Sequence, residues 1–258
     1  MLRFLAAIGA VFLAFLAATG RLVLFAGLAL ATLFTPPFYL RVILREMVNI
    51  GYFSLPVVGL TAIFTGMVLA LQSYTGFSRF AAEGAVATVV VLSVTRELGP
   101  VISGLMVAGR VGAAMAAEIG TMRVTDQIDA LTTLSADPLR YLVLPRLLAG
   151  VITMPMLVLV ADIIGVFGGY LVGVYRLNFN PQAYLIGTRE HLETSDVVHG
   201  LVKAAVFGFI IALMGCYHGY HSRGGAEGVG RATTHAVVSA SILILIVDYL
   251  ITAAFFGS

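Results

Sequence analysis

Residues 96–146 read RELGPVISGLMVAGRVGAAMAAEIGTMRVTDQIDALTTLSADPLRYLVLPR, a charged and glycine-rich block inside a chain that is otherwise almost continuously apolar. In a lipid bilayer, Arg, Glu and Asp are tolerated only where they face water, protein or a substrate path. We therefore expect this block to hold the functional parts of a membrane protein.

The composition of the whole chain is that of a membrane protein. Of 258 residues, 60% are hydrophobic and 11% are charged, whereas soluble domains carry about 25% charged residues. A helix needs ~20 apolar residues to cross the hydrocarbon. Suitable stretches lie at about 53–74, 85–108, 141–174, 201–220 and 236–256. The sequence predicts an all-α integral membrane protein with about five transmembrane helices.

The distribution of basic residues predicts the orientation of these helices. Ten arginines lie on one side, three arginines and Lys203 lie on the other, and Arg96 falls within a helix. Positive residues are enriched on the cytoplasmic side of a membrane. We therefore predict a cytoplasmic N-terminus and a C-terminus on the opposite side.

The first 36 residues admit three interpretations: a signal peptide, a further transmembrane helix, or a helix lying in the membrane interface. A further transmembrane helix would place Arg41, Arg45 and Arg110 on the wrong side of the membrane. We therefore predict an interfacial helix at residues 1–36 and a transmembrane domain at residues 37–258.

Arg96 and Glu97 lie inside the second apolar stretch, where each unpaired charge costs ~2.5–3.5 kcal/mol. In one interpretation, they form ion pairs with residues on neighbouring helices. In the other, they act directly in substrate handling or gating. Both interpretations stay open. Pro100 cannot donate a hydrogen bond to the carbonyl four residues earlier. The sequence thus predicts a kink beside a sheltered charge pair.

Small residues recur at every fourth position of the same block, which is typical of helices that pack closely in lipid. The same face could instead form a dimer interface that slides during transport. These residues are Gly104, Ala108, Gly112, Ala116 and Gly120, and a second series comprises Gly165, Gly169 and Gly173.

A polar segment at residues 118–131 predicts a short amphipathic helix on the cytoplasmic side. Arg123 and Asp126 are spaced to pair as i and i+3. The segment is either a solvated connector or a docking surface, since Ile119, Met122, Ile128 and Leu131 would form an apolar face for a soluble partner.

No sequence motif indicates catalysis or cofactor binding. The only lysine, Lys203, lies in GLVKAAV, so a GxxxxGK[ST] phosphate loop cannot form, and neither GxSxG nor HExxH occurs. Cys216 has no disulfide partner, and His218, His221 and His235 lack acidic or thiol residues at metal-ligand spacing. The net charge of +2 does not indicate nucleic-acid binding. We predict a chain that is not an enzyme and holds no metal.

Four separated blocks agree in order and spacing with one family of transporters. They read GMVLALQSY at 66–74, RELGPVISGLMVAGRVGAAMAAEIGTMRVTDQIDAL at 96–131, DPLRYLVLPR at 137–146, and GVGRATTHAVVSASILILIVDYLITAAFF at 228–256. These blocks resemble the MlaE/YrbE permeases of MCE-associated ABC transporters. The resemblance covers nearly everything after about Pro37.

The resemblance implies a homodimeric permease in a Gram-negative inner membrane, with its C-terminus in the periplasm. It would move phospholipid between the inner and outer membranes and so maintain the lipid asymmetry of the outer membrane. The implied partners are a cytoplasmic ABC ATPase (MlaF-like), which binds ATP and Mg, a STAS-domain protein (MlaB-like) and a periplasmic hexameric MCE protein (MlaD-like). The N-terminal helix would receive the membrane anchor of the MCE protein.

The resemblance also implies two sets of site residues. The coupling helix that contacts the ATPase would include Glu118, Ile119, Met122, Arg123, Asp126, Gln127 and Leu131. The lipid pocket would be lined by Leu69, Leu71, Gln72 and Tyr74, with Arg96 and Glu97 behind them.

Two rival functions belong to other classes of protein. An ion-coupled secondary transporter would use Arg96 and Glu97 to carry the coupling charge and would need no ATPase. A purely structural membrane scaffold would hold no lipid between its protomers.

Overall fold

The computed structural model describes residues 2–34, 36, 39–80 and 83–256, and all regular secondary structure in these ranges is helical. The prediction of an all-α membrane protein is therefore confirmed. The helices are α1 (Leu2–Ala31), α2 (Leu40–Ile50), α3 (Leu55–Phe77), α4 (Val86–Ser93), α5 (Gly99–Val107), α6 (Ala113–Val124), α7 (Gln127–Thr133), α8 (Leu144–Tyr175), α9 (Pro181–His191), α10 (Thr194–Tyr220) and α11 (Gly225–Phe256).

The described residues form six helical stretches that are long and apolar enough to cross a membrane, one more than the five predicted from the sequence. The additional stretch, Phe12–Ala31, belongs to α1. The others are Leu40–Phe77, Val86–Val124, Leu139–Tyr175, Thr194–Tyr220 and Gly225–Phe255. The predicted boundary after residue 36 falls beside Thr35, Pro37 and Phe38, which lie outside the described residues.

The third of these stretches is not a uniform α-helix. A π-helical turn at Val94–Leu98 joins α4 to α5, and a second at Ala108–Gly112 joins α5 to α6. The first turn lies directly before Gly99 and Pro100, where the sequence predicts a kink. Because Pro100 has no N–H, the Arg96 carbonyl needs another donor, and Lys203 Nζ provides one at 3.1 Å.

Helix α8 runs through the centre of the bundle, between α3 on one side and α10 on the other. Glycines permit both crossings: a Cβ on Gly66 would overlap the Gly165 backbone, and one on Gly208 would overlap the Gly150 carbonyl. Further along the chain, Gly104 lies against Phe207 of α10. The close packing predicted for the small residues is therefore confirmed, and these contacts lie within one chain.

The predicted single helix at 118–131 is wrong, because two helices meet there. Helix α6 ends at Val124, and Asp126 adopts a left-handed conformation with φ 59° before α7 begins. Asp and Asn are among the few residues apart from glycine that adopt this conformation readily. The predicted pairing of Arg123 with Asp126 is also wrong, since Arg123 Nη1 lies 2.5 Å from Asp129 Oδ1.

Two ends of the bundle are distinguished below. The α9 end comprises α9 and the first turn of α10, and the α7 end comprises α7 and the last turns of α6 and α10. At the α7 end, Phe25 of α1 packs edge-on against Tyr217, with ring centroids 5.5 Å apart.

Candidate functional site

Arg96 is sheltered by an ion pair with the start of α10. Its Nε donates to Asp196 Oδ1 at 2.7 Å, and its Nη2 lies 2.7 Å from the same oxygen. The other carboxylate oxygen of Asp196 accepts the backbone N–H of Glu193 at 3.2 Å, which caps α10. The side chain of Asp196 is almost completely buried. Arg96 therefore fixes the π-helical turn to the N-terminus of α10.

Lys203 on α10 is the centre of a second set of contacts. Its Nζ lies 2.6 Å from Glu97 Oε2 and 2.9 Å from Asp248 Oδ1 of α11, and its side chain is 1% exposed. Thr252, also on α11, donates to Glu97 Oε1 at 3.2 Å. We call Arg96, Glu97, Asp196, Lys203 and Asp248 the Lys203 network.

Arg96 and Glu97, the two charges in the second apolar stretch, both have partners on neighbouring helices. This arrangement agrees with one of the two interpretations of the sequence. Their partners on α10 and α11, which are Lys203, Asp196 and Asp248, were not predicted from the sequence. A signal was present, because Lys203 in GLVKAAV and Asp248 in LIVDYLI both interrupt apolar runs. A charge in such a run indicates an intramembrane partner.

An apolar groove of about 390 Å³ lies between α3 and the π-helical turn. Leu69 and Gln72 both line it, and Leu98 contributes from the turn itself. The remaining lining residues are Phe64, Thr65 and Val68. A smaller crevice continues past Thr65 and Leu98 towards Ser103 and Ala161.

The groove contains only part of the predicted lipid-binding set. Leu71 and Tyr74 do not line it, and the ring of Tyr74 instead packs edge-on against Phe179 at 5.7 Å. Arg96 and Glu97 are held on the α10 and α11 side, so they stand behind the groove wall rather than in it. Leu71 and Tyr74 face other parts of the α3 surface, so this groove does not include them, and their part in lipid binding stays a prediction.

A second buried cation lies towards the α7 end. Arg146 Nη2 is 2.9 Å from Glu118 Oε2 and 3.4 Å from Glu46 Oε1, and its Nη1 donates to the Leu142 carbonyl at 2.7 Å. Glu118 was predicted to belong to a docking surface. Its carboxylate connects α6 with α8 while its side chain stays 60% exposed, and Glu46 extends this link to α2.

The apolar side of the predicted coupling helix is also turned inwards. Ile119 and Ile128 are completely or almost completely buried, and Met122 and Leu131 pack against the same core. The protein's own core therefore covers much of this face, and the docking role expected of these four residues stays a prediction. The α6–α7 turn, which we define as Thr125, Asp126 and Gln127, is exposed.

Histidines at the α7 end contact one another and nearby side chains. His218 Nε2 lies 3.0 Å from Ser239 Oγ, and its ring stacks on that of His235 with centroids 5.9 Å apart. Within the described ranges, no group of three or more His, Cys, Asp or Glu side chains is arranged to hold a metal ion.

Comparison with known proteins identifies the family. The family model for Permease MlaE matches residues 43–254. A Rickettsia felis protein named "Probable ABC transporter permease protein" is 64% identical over 242 residues, which cover 94% of this chain and 93% of the relative.

Two more distant relatives carry other names. The Haemophilus influenzae "Intermembrane phospholipid transport system permease protein MlaE" is 38% identical over 217 residues, covering 84% of this chain and 83% of the relative. The chloroplastic TRIGALACTOSYLDIACYLGLYCEROL 1 protein of Arabidopsis thaliana is 38% identical over 215 residues, covering 83% of this chain and 61% of the relative. The helical membrane fold and these matches lead to one conclusion: the chain belongs to the MlaE family of ABC transporter permeases.

Proposed function

We propose that this chain is the permease subunit of an ABC transporter that moves phospholipids between the inner and outer membranes. The energy would come from ATP and Mg bound by a separate cytoplasmic ATPase. The observation that carries the proposal is family membership, together with a Haemophilus influenzae relative that is named for intermembrane phospholipid transport.

The groove beside α3 has the chemistry that a lipid acyl chain requires. Its walls are apolar, apart from the Thr65 hydroxyl and the Gln72 amide, and its volume of about 390 Å³ falls within the usual range of ~300–1,000 Å³ for ligand pockets. An acyl chain would lie along Leu69 and Leu98, with its headgroup near Gln72. A second copy of the chain, packed against α3 in a homodimer, would close the open side.

The Lys203 network would position the groove wall. Leu98 follows Glu97 directly, and Glu97 is held by Lys203 at 2.6 Å. Movement of α10 or α11 would therefore shift the π-helical turn that carries Leu98. We infer that the network transmits helix movement to the lipid site and that its charges do not contact the lipid.

The α6–α7 turn would receive the ATPase. Asp126 and Gln127 are exposed, and α6 connects them without interruption to the π-helical turn at Ala108–Gly112. A push on this turn would travel along α6 to the lipid groove. Glu118, Ile119, Met122, Arg123 and Leu131 would support the turn from within the chain.

The remaining members of the complex follow from the same proposal. The STAS-domain protein would bind on the ATPase side, and the hexameric MCE protein would cover the periplasmic mouth of the homodimer. The chain would lie in the inner membrane with α1 in the interface and the other five of the six candidate stretches crossing the membrane. This arrangement gives a cytoplasmic N-terminus and a periplasmic C-terminus, and α1 would contact the MCE anchor.

One pair of variants tests the lipid groove. Leu69→Trp would fill the groove, whereas Leu71→Trp places the same side chain on α3 outside it. The measurement is phospholipid bound to the purified permease, quantified by mass spectrometry. We expect Leu69→Trp to lose bound phospholipid and Leu71→Trp to keep it; equal binding by both variants contradicts the assignment.

Purification of the tagged chain from its native membrane tests the energy source. We expect an untagged ATPase to copurify. The rival, an ion-coupled transporter that uses Arg96 and Glu97, predicts transport by the chain alone under a proton gradient. That result would overturn the proposal.

A further inference from the structure

A second and larger cavity, of about 570 Å³, lies on the other side of the π-helical turn. Thr95 of the turn lines it, whereas Leu98 of the same turn lines the groove beside α3. The walls are almost entirely apolar and come from α4, α8, α9 and the first turn of α10. They include Leu159, Ile163, Val166, Phe167, Leu185 and Val197.

Two buried polar atoms with no hydrogen-bond partner in the described part of the chain belong to residues that line this cavity. They are Oδ1 of Asp162, a residue 5% exposed, and the hydroxyl of Tyr184, a residue 4% exposed. Native proteins rarely leave such groups unsatisfied. A carboxyl group inside a membrane helix indicates a functional site by default.

The two polar atoms lie beside different turns of α8. Asp162 Oδ1 occupies the space that a Cβ on Gly99 would need, and the Tyr184 hydroxyl would lie 3.2 Å from a Cβ on Gly169. Asp162 and Gly169 are seven residues apart, which is about 10 Å along a helix. A ligand that satisfied both atoms would need polar groups about this far apart.

Asp162 differs from the other acidic groups inside the bundle. Glu97 and Asp248 share Lys203, Asp196 holds Arg96, and Glu46 and Glu118 both contact Arg146. These cations are therefore already engaged by other carboxylates. A partner for Asp162 must therefore be a group other than Lys203, Arg96 and Arg146.

The chemistry of the cavity selects among ligands. A carboxyl oxygen accepts hydrogen bonds and attracts positive charge, so it favours an N–H donor and disfavours an anion. Apolar walls with one carboxylate do not supply the oxygen ligands that Ca²⁺ or Mg²⁺ requires. Burial raises the pKa of Tyr184 to about 12, so its hydroxyl stays protonated and can donate to a ligand oxygen.

The cavity is accessible from the surface that would face lipid. Ile163, Phe167 and Leu185 line it, and each has more than half of its surface exposed. An alkyl chain can therefore stay among the surrounding lipids while a polar head reaches Asp162.

We propose that this cavity binds a membrane lipid that carries a primary amine, with the amine on Asp162 and an acyl-ester oxygen of the glycerol backbone on Tyr184. The separation of about 10 Å along α8 fits the amine and the acyl-ester oxygens of an extended lipid of this class, whereas the phosphate lies too close to the amine to reach Tyr184. The site is separate from the groove beside α3. It refines the proposed lipid transport by adding a headgroup preference, yet binding here requires neither an ATPase nor transport.

Native mass spectrometry of the purified full chain tests the site with two matched probes. Phosphatidylethanolamine has a primary amine, and phosphatidylcholine with the same acyl chains has no N–H donor. A charged hydrogen bond corresponds to roughly tenfold in affinity, so we expect about tenfold more bound phosphatidylethanolamine. Hexadecylamine should compete with it. Competition by hexadecylamine without any preference between the two phospholipids would assign the site to free long-chain amines.

Three variants make the test specific. Asp162→Asn keeps the side-chain shape and should reduce the preference to less than about twofold, whereas Glu227→Gln, on an exposed carboxylate, should leave it unchanged. Ile163→Trp, at an exposed position, should narrow the entrance and reduce the binding of both amine probes. This variant keeps the test decisive if Asp162→Asn does not fold.

Several results would overturn the proposal. One is a preference for the amine lipid that persists in Asp162→Asn; another is equal binding of all probes to the unaltered chain. A third is a preference seen in the isolated chain but lost in the assembled complex, which would show that a helix of another subunit occupies the cavity. Failure of ATP-driven transport with the amine preference intact would reject the proposed function and leave this site standing.

Discussion

The Lys203 network and the α6–α7 turn are both charged, but they differ in burial. One helical stretch, Val86–Val124, connects them. In the network, Lys203 and Asp196 are almost fully buried, and their partners come from distant parts of the chain. Beside the turn, the pair Arg123–Asp129 is local in sequence, and its side chains are 35% and 60% exposed.

This difference explains what each region can do. A buried ion pair contributes little net stability, yet removing one partner leaves an uncompensated charge and is strongly destabilising. An exposed pair contributes about 0–1 kcal/mol and changes easily. The network therefore fixes the π-helical turn at Val94–Leu98, α10 and α11 relative to one another, whereas the α6–α7 turn is a surface on which another protein can bind.

Lys203→Met should have the largest effect on stability. Glu97 and Asp248 would lose their shared cation inside the membrane, which should cost ~3–5 kcal/mol. Thermal unfolding of the detergent-solubilised chain, followed by circular dichroism, measures the change. Arg231→Met removes the cation of an exposed pair with Glu227 and serves as the control. A similar shift in both variants would contradict the contrast between buried and exposed pairs.

Asp196→Asn should have the next largest effect. Arg96 would lose its carboxylate partner, and the cap of α10 would weaken, at a cost of ~1.5–3 kcal/mol. The same unfolding measurement applies, with Glu190→Gln at an exposed position of the α9 end as the control. An unchanged unfolding midpoint for Asp196→Asn would show that Arg96 does not depend on this partner.

Gln127→Arg should change stability by no more than ~0.5 kcal/mol, because its side chain is exposed. It should nevertheless weaken recovery of the copurified ATPase, since it places a bulky cation on the α6–α7 turn. Gln182→Arg makes the same substitution at an exposed position of the α9 end. Equal ATPase recovery from both variants would remove the turn from the docking surface.

Arg123→Ala should have the smallest effect on folding. Its pair with Asp129 is partly exposed and open to solvent on the Asp129 side, so the loss should be no more than ~1 kcal/mol. Part of that loss would come from the contact with the Tyr220 ring, whose centroid lies 5.9 Å from the guanidinium carbon. A loss as large as that of Lys203→Met would mean that the turn is part of the folding core.

The sequence predicted the class of the fold and the location of the charged block, because both depend on local composition. It predicted that Arg96 and Glu97 need shelter, since the cost of an unpaired charge in lipid is independent of topology. It could not say that α10 and α11 provide the partners. Which helices meet depends on close crossings such as that between Gly150 and Gly208, and these are decided by the packing of the whole bundle.

The coupling segment was harder to predict for a different reason. Its apolar spacing fits one amphipathic helix, but a helical pattern does not reveal a single left-handed residue such as Asp126. The same pattern cannot distinguish an apolar face that awaits a partner from one covered by the protein's own core. Ile119 and Ile128 belong to the second kind.

Reconstitution of the copurified complex in proteoliposomes tests the central claim most directly. The measurement is transfer of labelled phospholipid with ATP and Mg, compared with transfer under a proton gradient without ATP. We predict transfer that requires ATP, stops when the ATPase is omitted and is reduced by Leu69→Trp but not by Leu71→Trp. Transfer by the permease alone under the proton gradient would contradict the account.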